Sequence, residues 1–357
     1  MEFNKLYPEV FRMVEKRSKG LSAATIRRLS TFISGAFLAK HCQLDKVANK
    51  LPWDYKPKSL VQKLERFLKD KKVKPLKVYA SFAKLLLSCW KDKRIRLIID
   101  RTFLGIKGHN TLFIALAYKK RSLPLAWMVL DHNGNSSLKE QWKLIKYLIP
   151  LIPKASEVVL IGDREFQNDA LMDKVFQRGW HFRLRLRCNT WVVLKDGTKC
   201  QLRDLPLKKG QRLFLQDVHL TEEEYGPVNL ACSWDESDED DDPWYIATDE
   251  EASNHTLLDY SRRMWIDETF RDLKEQGFHL DKSHLPFPDR LSRLILVIVL
   301  CYIWLMQLGT WVVKVGWRRL IDCAKERSLS YFQLGLRWLE RLSVFNRRLS
   351  LSFHFYP

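Results

Sequence analysis

The chain has 357 residues, 46% hydrophobic and 12% aromatic, which supplies a real core and excludes bulk disorder. Ordinary Gly and Pro numbers exclude collagen-like and linker-rich classes. The net charge of +19 points instead to a polyanionic partner, nucleic acid or an anionic membrane surface. Seven widely spaced cysteines with no CxxC pair argue against a disulfide framework or a zinc knuckle, and for reduced thiols in a cytoplasmic protein. The N-terminal stretch MEFNKLYPEVFRMVEKRSKG has no apolar signal core.

Residues 1–92 read as helical. Ala23–His41, Ser59–Asp70 and Pro75–Trp90 place apolar residues three and four apart. This region carries 21 Lys plus Arg against 8 Asp plus Glu. It is read as a basic, DNA-binding helical region, the alternative being the solvated basic face of a small bundle. From Arg94 the pattern changes. RIRLIID, TLFIALAYKK and LPLAWMVLD are β-rich runs separated by turns. Helices over Ser136–Leu148 and Asn168–Trp180 then flank the buried-type strand EVVLIGD. HFRLRLR alternates as a half-exposed strand should. The order βββαβαβ predicts an α/β fold, a mixed sheet with helices packed on it.

Residues 188–243 read as a β-rich insertion built on WVVL, RLFLQDVHL and VNLACSW. It ends in DESDEDDD, Asp235–Asp242, whose seven acids read as a solvated loop, with DNA mimicry or closure of the basic surface as alternatives. WYIATD resumes the sheet, and Ser253–Gln276 reads as one strong helix. The apolar run Leu294–Val313 is long enough to cross a bilayer. Burial inside a large domain is preferred, because the run stands alone and the charge is spread along the chain, so no membrane is expected as a partner. The division is thus 1–92, a first core part at 93–187, the insertion, a second core part at 244–314, and a C-terminal helical region at 315–357.

Three acids stand out. Asp100 ends the apolar run RLIID and Asp163 ends VVLIGD, the strand ends where an α/β sheet presents its site. The third lies in YSRRMWIDETFRDLK. With Tyr260 at zero and about 100° per residue, Arg263, Asp267 and Lys274 fall at about 300°, 340° and 320°. They share one arc with Tyr260, beside an apolar stripe of Ile266, Phe270 and Leu273. An ordinary amphipathic helix with internal ion pairs would look the same. Grouped carboxylates repel unless a cation lies between them, and hard oxygen ligands suit Mg²⁺ or Mn²⁺. Two such ions can clamp a phosphodiester displacement.

Tyr260, Arg263, Asp267 and Lys274 match the spacing Tyr-(2)-Arg-(3)-Glu-(6)-Lys, and the segment around them closely resembles that signature of DDE transposases from bacterial insertion sequences. LIIDRTFLG resembles the family's first aspartate strand and VLIGDREF its second; the resemblance runs from about Arg94 to Val313. It implies a ribonuclease-H-like core interrupted by a β-strand insertion, and Mg²⁺-dependent cut-and-paste chemistry with two ions per site, Mn²⁺ substituting. Water cleaves one strand at the element end, and the freed 3′-OH attacks, first forming a hairpin in well-studied relatives. Carried over by position, Asp100, Asp163 and Asp267 are the metal ligands. Tyr260, Arg263 and Lys274 contact backbone phosphates. Trp244 stacks on a flipped base, the alternative being a core aromatic. The implied partners are double-stranded DNA, as terminal inverted repeats and target, and a second copy in a synaptic homodimer. The place of action is the cytoplasm of a bacterium or archaeon. One departure stands: Asp267 occupies the family's Glu position. Spacing favours Asp267; side-chain length favours its neighbour Glu268. The rivals are a decayed or domesticated DNA-binding copy, and a nuclease of the same fold without strand transfer.

Overall fold

The computed structural model describes residues 3–236, 241–323, 325–345 and 354–357. Five helices come first: α1 (Phe3–Arg17), α2 (Ala23–Ala39), α3 (Leu44–Ala48), α4 (Pro57–Lys69) and α5 (Pro75–Ser88). Ser22 caps α2 by accepting from the Thr25 amide, and prolines open α4 and α5, where a missing N–H costs nothing. This region builds no core of its own. Phe32, Phe67 and Phe82 belong to the same apolar cluster as the sheet.

The sheet has ten strands in the order β3-β2-β1-β4-β5-β10-β9-β8-β6-β7. They are β1 (Ile95–Leu104), β2 (His109–Tyr118), β3 (Arg121–Val129), β4 (Val158–Gly162), β5 (His181–Arg185), β6 (Trp191–Val193), β7 (Lys199–Gln201), β8 (Arg212–Leu220), β9 (Tyr225–Ser233) and β10 (Trp244–Thr248). Only β1–β4 and β4–β5 pair in parallel. Helices α6 (Leu138–Leu148) and α7 (Asp169–Gln177) lie between β3 and β5 in the chain. The expected insertion is β-rich, but its strands extend the main sheet through the β10–β9 pairing. Four residues of the acidic run, 237–240, lie outside the described residues.

Two sequence expectations are corrected. β5 is not half-exposed. It lies between β4 and β10, and its arginines are buried because they are paired: Arg183 with Glu250 and Thr248, Arg185 with Asp242. Nor is 253–276 one helix. It divides into α8 (Asn254–Ser261), α9 (Met264–Arg271) and a π-helical turn, Asp272–Gln276. Between α8 and α9 the backbone bonds tighten to i→i−3, as from the Arg263 amide to the Tyr260 carbonyl. The reason is packing. Val158 and Leu160 of β4 face the main cluster, whereas Val159 and Ile161 face a second one. α8 buries Leu257 and Tyr260 in the second cluster; α9 buries Ile266 and Phe270 in the main one. A single straight helix with one apolar stripe cannot serve both faces.

The apolar run forms α10 (Pro288–Lys314), long and apolar enough to cross a membrane by length and composition, yet with 94% of its most apolar window buried inside the protein. It packs against α2, α4, α5, β3 and α11 (Tyr331–Val344). α10 and α11 cross at two glycines. A Cβ on Gly309 would lie 1.8 Å from the Tyr331 carbonyl oxygen, and one on Gly335 would lie 2.1 Å from that of Leu305.

Candidate active site

β1 runs past Asp100 to Leu104, so Asp100 is not the strand's last residue, as the apolar run had suggested. It is the first residue beyond the parallel pairing, whose last pair is Ile99 with Gly162. Asp163 follows Gly162, so one end of the β1–β4 ladder delivers both acids side by side. Gly162 is needed there: a Cβ would come within 3.0 Å of Ile99, Leu184 and Phe166 at once. The backbone then anchors each carboxylate. Asp100 Oδ1 accepts from the Arg101 amide at 2.7 Å, and Asp163 Oδ1 from the Glu165 amide at 3.0 Å.

The helical segment brings the third acid. Arg263 leaves the break between α8 and α9 and reaches all three aspartates. Its Nη2 lies 2.9 Å from Asp100 Oδ2 and 3.7 Å from Asp163 Oδ2, and its Nη1 lies 2.9 Å from Asp267 Oδ2. Glu268 points elsewhere, 3.2 Å from Arg121 and also paired with Arg271. Burial pushes the Asp100 carboxyl up to about 7, although Arg263 pulls it down; Asp163 and Asp267 push the same way as burial. Asp267 is raised too, by burial against the pull of Arg263. Burial lowers the affinity of Arg263 for its proton, but the aspartates outweigh it and the net shift is upward. Lys274, on the π-helical turn, is half-buried, and burial lowers it against the field of Glu275, Asp281, Asp267 and Asp100.

Tyr260 is placed differently from an exposed helix edge: it is 1% exposed, and Trp244 meets it edge-on with ring centroids 4.9 Å apart. Burial pushes its phenol up to about 12, with Arg185 and Arg263 pulling the other way. Trp244 itself is half-buried. Beside Asp163, the Arg164 guanidinium forks onto Asp242, both bonds 3.1 Å, and Arg185 holds the same carboxylate at 2.8 Å.

Two supports escape the sequence reading. Glu165 accepts from Arg101 Nε at 2.5 Å and from the Ser136 amide and hydroxyl at 2.9 and 2.8 Å, tying the residues after both aspartates together. Asp272, fully buried, accepts from Arg121 Nε at 2.6 Å, while Thr269 accepts from the Ser122 amide at 2.7 Å; both fasten α9 and its π-helical turn to β3. The only signal for either was an acid two residues after Asp163 and another five after Asp267.

The donor set fits hard divalent cations. Three carboxylates from separate elements converge on one cationic group. Among the described residues, ligand atoms lie within 4.8 Å of one another in two groups, Asp131, His132 and Glu140, and Glu157, His181 and Glu250, whereas the three aspartates stand further apart, around the guanidinium of Arg263. In the second, Arg94 and Arg183 already pair with Glu250, and Asp249 holds His181 Nδ1 at 2.7 Å.

The family model described as "Transposase DDE domain" matches residues 91–304, more than half of the chain. No curated protein matches. Among solved structures, a piggyBac transposase synaptic complex with hairpin DNA is similar at 14% identity, covering 96% of this chain and 79% of that one, with a TM-score of 0.49.

Proposed function

This chain belongs to the DDE transposase family and is a DDE-type transposase, and we propose that it cuts the ends of its own insertion sequence and joins the 3′-OH ends to target DNA. DDE transposases use divalent metal ions. The observation that carries the site reading is the convergence of Asp100, Asp163 and Asp267 on the single guanidinium of Arg263. The strand order β3-β2-β1-β4-β5, with a parallel centre and two acids at its end, supports a ribonuclease-H-like core.

In this reading Asp100, Asp163 and Asp267 hold two Mg²⁺ ions, replaceable by Mn²⁺. When bound, these lower the pKa of the attacking water or 3′-OH and stabilise the leaving oxygen. Asp100 and Asp163 contribute from fixed backbone; Asp267 closes the site from α9. Lys274 and Arg263 face the same carboxylates and orient the backbone phosphate, Arg as a fork and Lys as a point charge. Tyr260 lies behind Trp244 and braces it, leaving the half-buried indole to stack on a base at the cleaved end. The steps are hydrolysis of one phosphodiester at the element end, then attack by the freed 3′-OH, which expels the 3′ oxygen of the bond it breaks. A cut-and-paste course through a hairpin, and a synaptic homodimer on double-stranded DNA, complete the proposal. The basic region 1–92 and the residues from 315 onward are proposed as DNA-binding and dimerisation surfaces around the core.

A labelled element-end duplex, taken from the DNA flanking the gene, tests this with Mg²⁺ or Mn²⁺. Wild type and Glu268→Ala should cut; Asp100→Ala and Asp267→Ala should not. Cutting by Asp267→Ala but not Glu268→Ala would move the third ligand by one residue. Binding without cutting by wild type, with either metal, would favour a decayed copy, for which the shorter acid at 267 is the motive.

A further inference from the structure

The oxygens through which Asp100, Asp163 and Asp267 meet Arg263 are, in each case, Oδ2. At Asp100 and Asp163 the Oδ1 of each already accepts from a backbone amide, and Oδ2 is the oxygen turned to the guanidinium. A guanidinium and a divalent cation placed among these acids therefore compete for the same negative charge. The guanidinium is itself incompletely served: Nη2 divides between two carboxylates at unequal distances, and Nε is buried without a partner. A phosphate, with several oxygens in fork geometry, offers it a better site than three acids on separate elements.

We propose that Arg263 is an internal counter-cation that competes with divalent metal for the three carboxylates, and releases them when a DNA backbone phosphate takes its guanidinium. This rests on the metal site proposed above. Metal loading and DNA binding are then positively coupled, each strengthening the other by the same factor. Protein without DNA loads metal poorly, so cutting power appears only where a phosphate is in place.

The test is Mn²⁺ binding, followed by the electron paramagnetic resonance of the free aquo ion. Wild type, Arg263→Gln, Arg263→Lys and Asp163→Asn are titrated with and without a short duplex of the DNA flanking the gene. Without DNA, Arg263→Gln should bind Mn²⁺ about tenfold tighter than wild type or more, the scale of losing one charge-assisted bond. Arg263→Lys should fall between them. Adding duplex should tighten Mn²⁺ binding by wild type more than by Arg263→Gln, and an equal gain in both would overturn the competition. Equal or weaker binding by Arg263→Gln, with wild-type binding still sensitive to Asp163→Asn, overturns the competition and spares the metal site. Wild-type binding indifferent to Asp163→Asn removes the metal site itself. Melting curves guard against misfolding: Arg263→Gln should melt below wild type without metal and recover when Mn²⁺ is added. A deficit that Mn²⁺ does not repair would make the arginine structural and overturn the proposal.

Discussion

Asp100 and Asp163 stand at the end of a parallel strand pair, whereas Asp267 stands on a helical segment broken once before it and loosened once after it. The first two are placed by a ladder buried on both faces and by an amide on each carboxylate. The third is placed by side chains: Thr269 against Ser122, Asp272 against Arg121, and Arg263 reaching four residues forward to Asp267. The difference shows where rigidity and adjustment reside. Strand-borne acids are fixed with the fold; the helix-borne acid can be lost or shifted by changes that leave the sheet intact.

The largest expected effect breaks the fixed half. Asp163→Ala should lower cleavage of an element-end duplex by about a thousandfold or more, since the positions proposed to hold metal act as a unit, while the melting temperature stays within a few degrees of wild type. The adjustable half breaks through its anchor. Asp272→Ala takes from Arg121 its buried partner and leaves it Glu268, and should destabilise the protein by about 1–3 kcal/mol in denaturant unfolding. Next comes pH. The Asp100 carboxyl is raised to about 7, and as the proposed ligand it would bind metal only when deprotonated. Apparent Mn²⁺ affinity of the DNA-free protein should therefore climb about tenfold per unit up to pH 7 and level above it; a flat profile between pH 5 and 7 would contradict the raised carboxyl. The smallest effect sharpens the comparison. Glu268→Ala removes a partly exposed pair with Arg121 and Arg271, and should cost about 1 kcal/mol or less while cleavage stays near wild type.

What was legible in the sequence follows the same division. An apolar run ending in Asp is a local signal, so Asp100 and Asp163 could be read without knowing the pairing that joins them. That β1 continues to Leu104 was hidden, because its second half pairs only with β2 and no longer looks buried on both faces. The arc of Arg263, Asp267 and Lys274 was legible, but the break at 262–263 was not. It arises from two apolar clusters on opposite faces, information held by β4 and not by the helical segment. Arg183 and Arg185 mimicked a solvated strand because alternation records polarity, and their half-buried partners Glu250 and Asp242 lie about sixty residues away. Glu165 looked like part of a turn; its role depends on Arg101 and Ser136, which only the fold brings to it.

The long apolar helix α10 has a consequence for the order in which the protein is made. A chain built from its N-terminus has already produced α2, α4, α5 and β3 when α10 emerges, and those elements cover one side of it. A segment that membrane machinery could mistake for a span thus arrives after part of its hiding place exists. The other side must wait for α11, and where Gly309 and Gly335 cross the backbones meet so closely that no larger residue fits. Moving α10 ahead of the sheet in a circular permutant would expose it at birth with the same contacts available at the end.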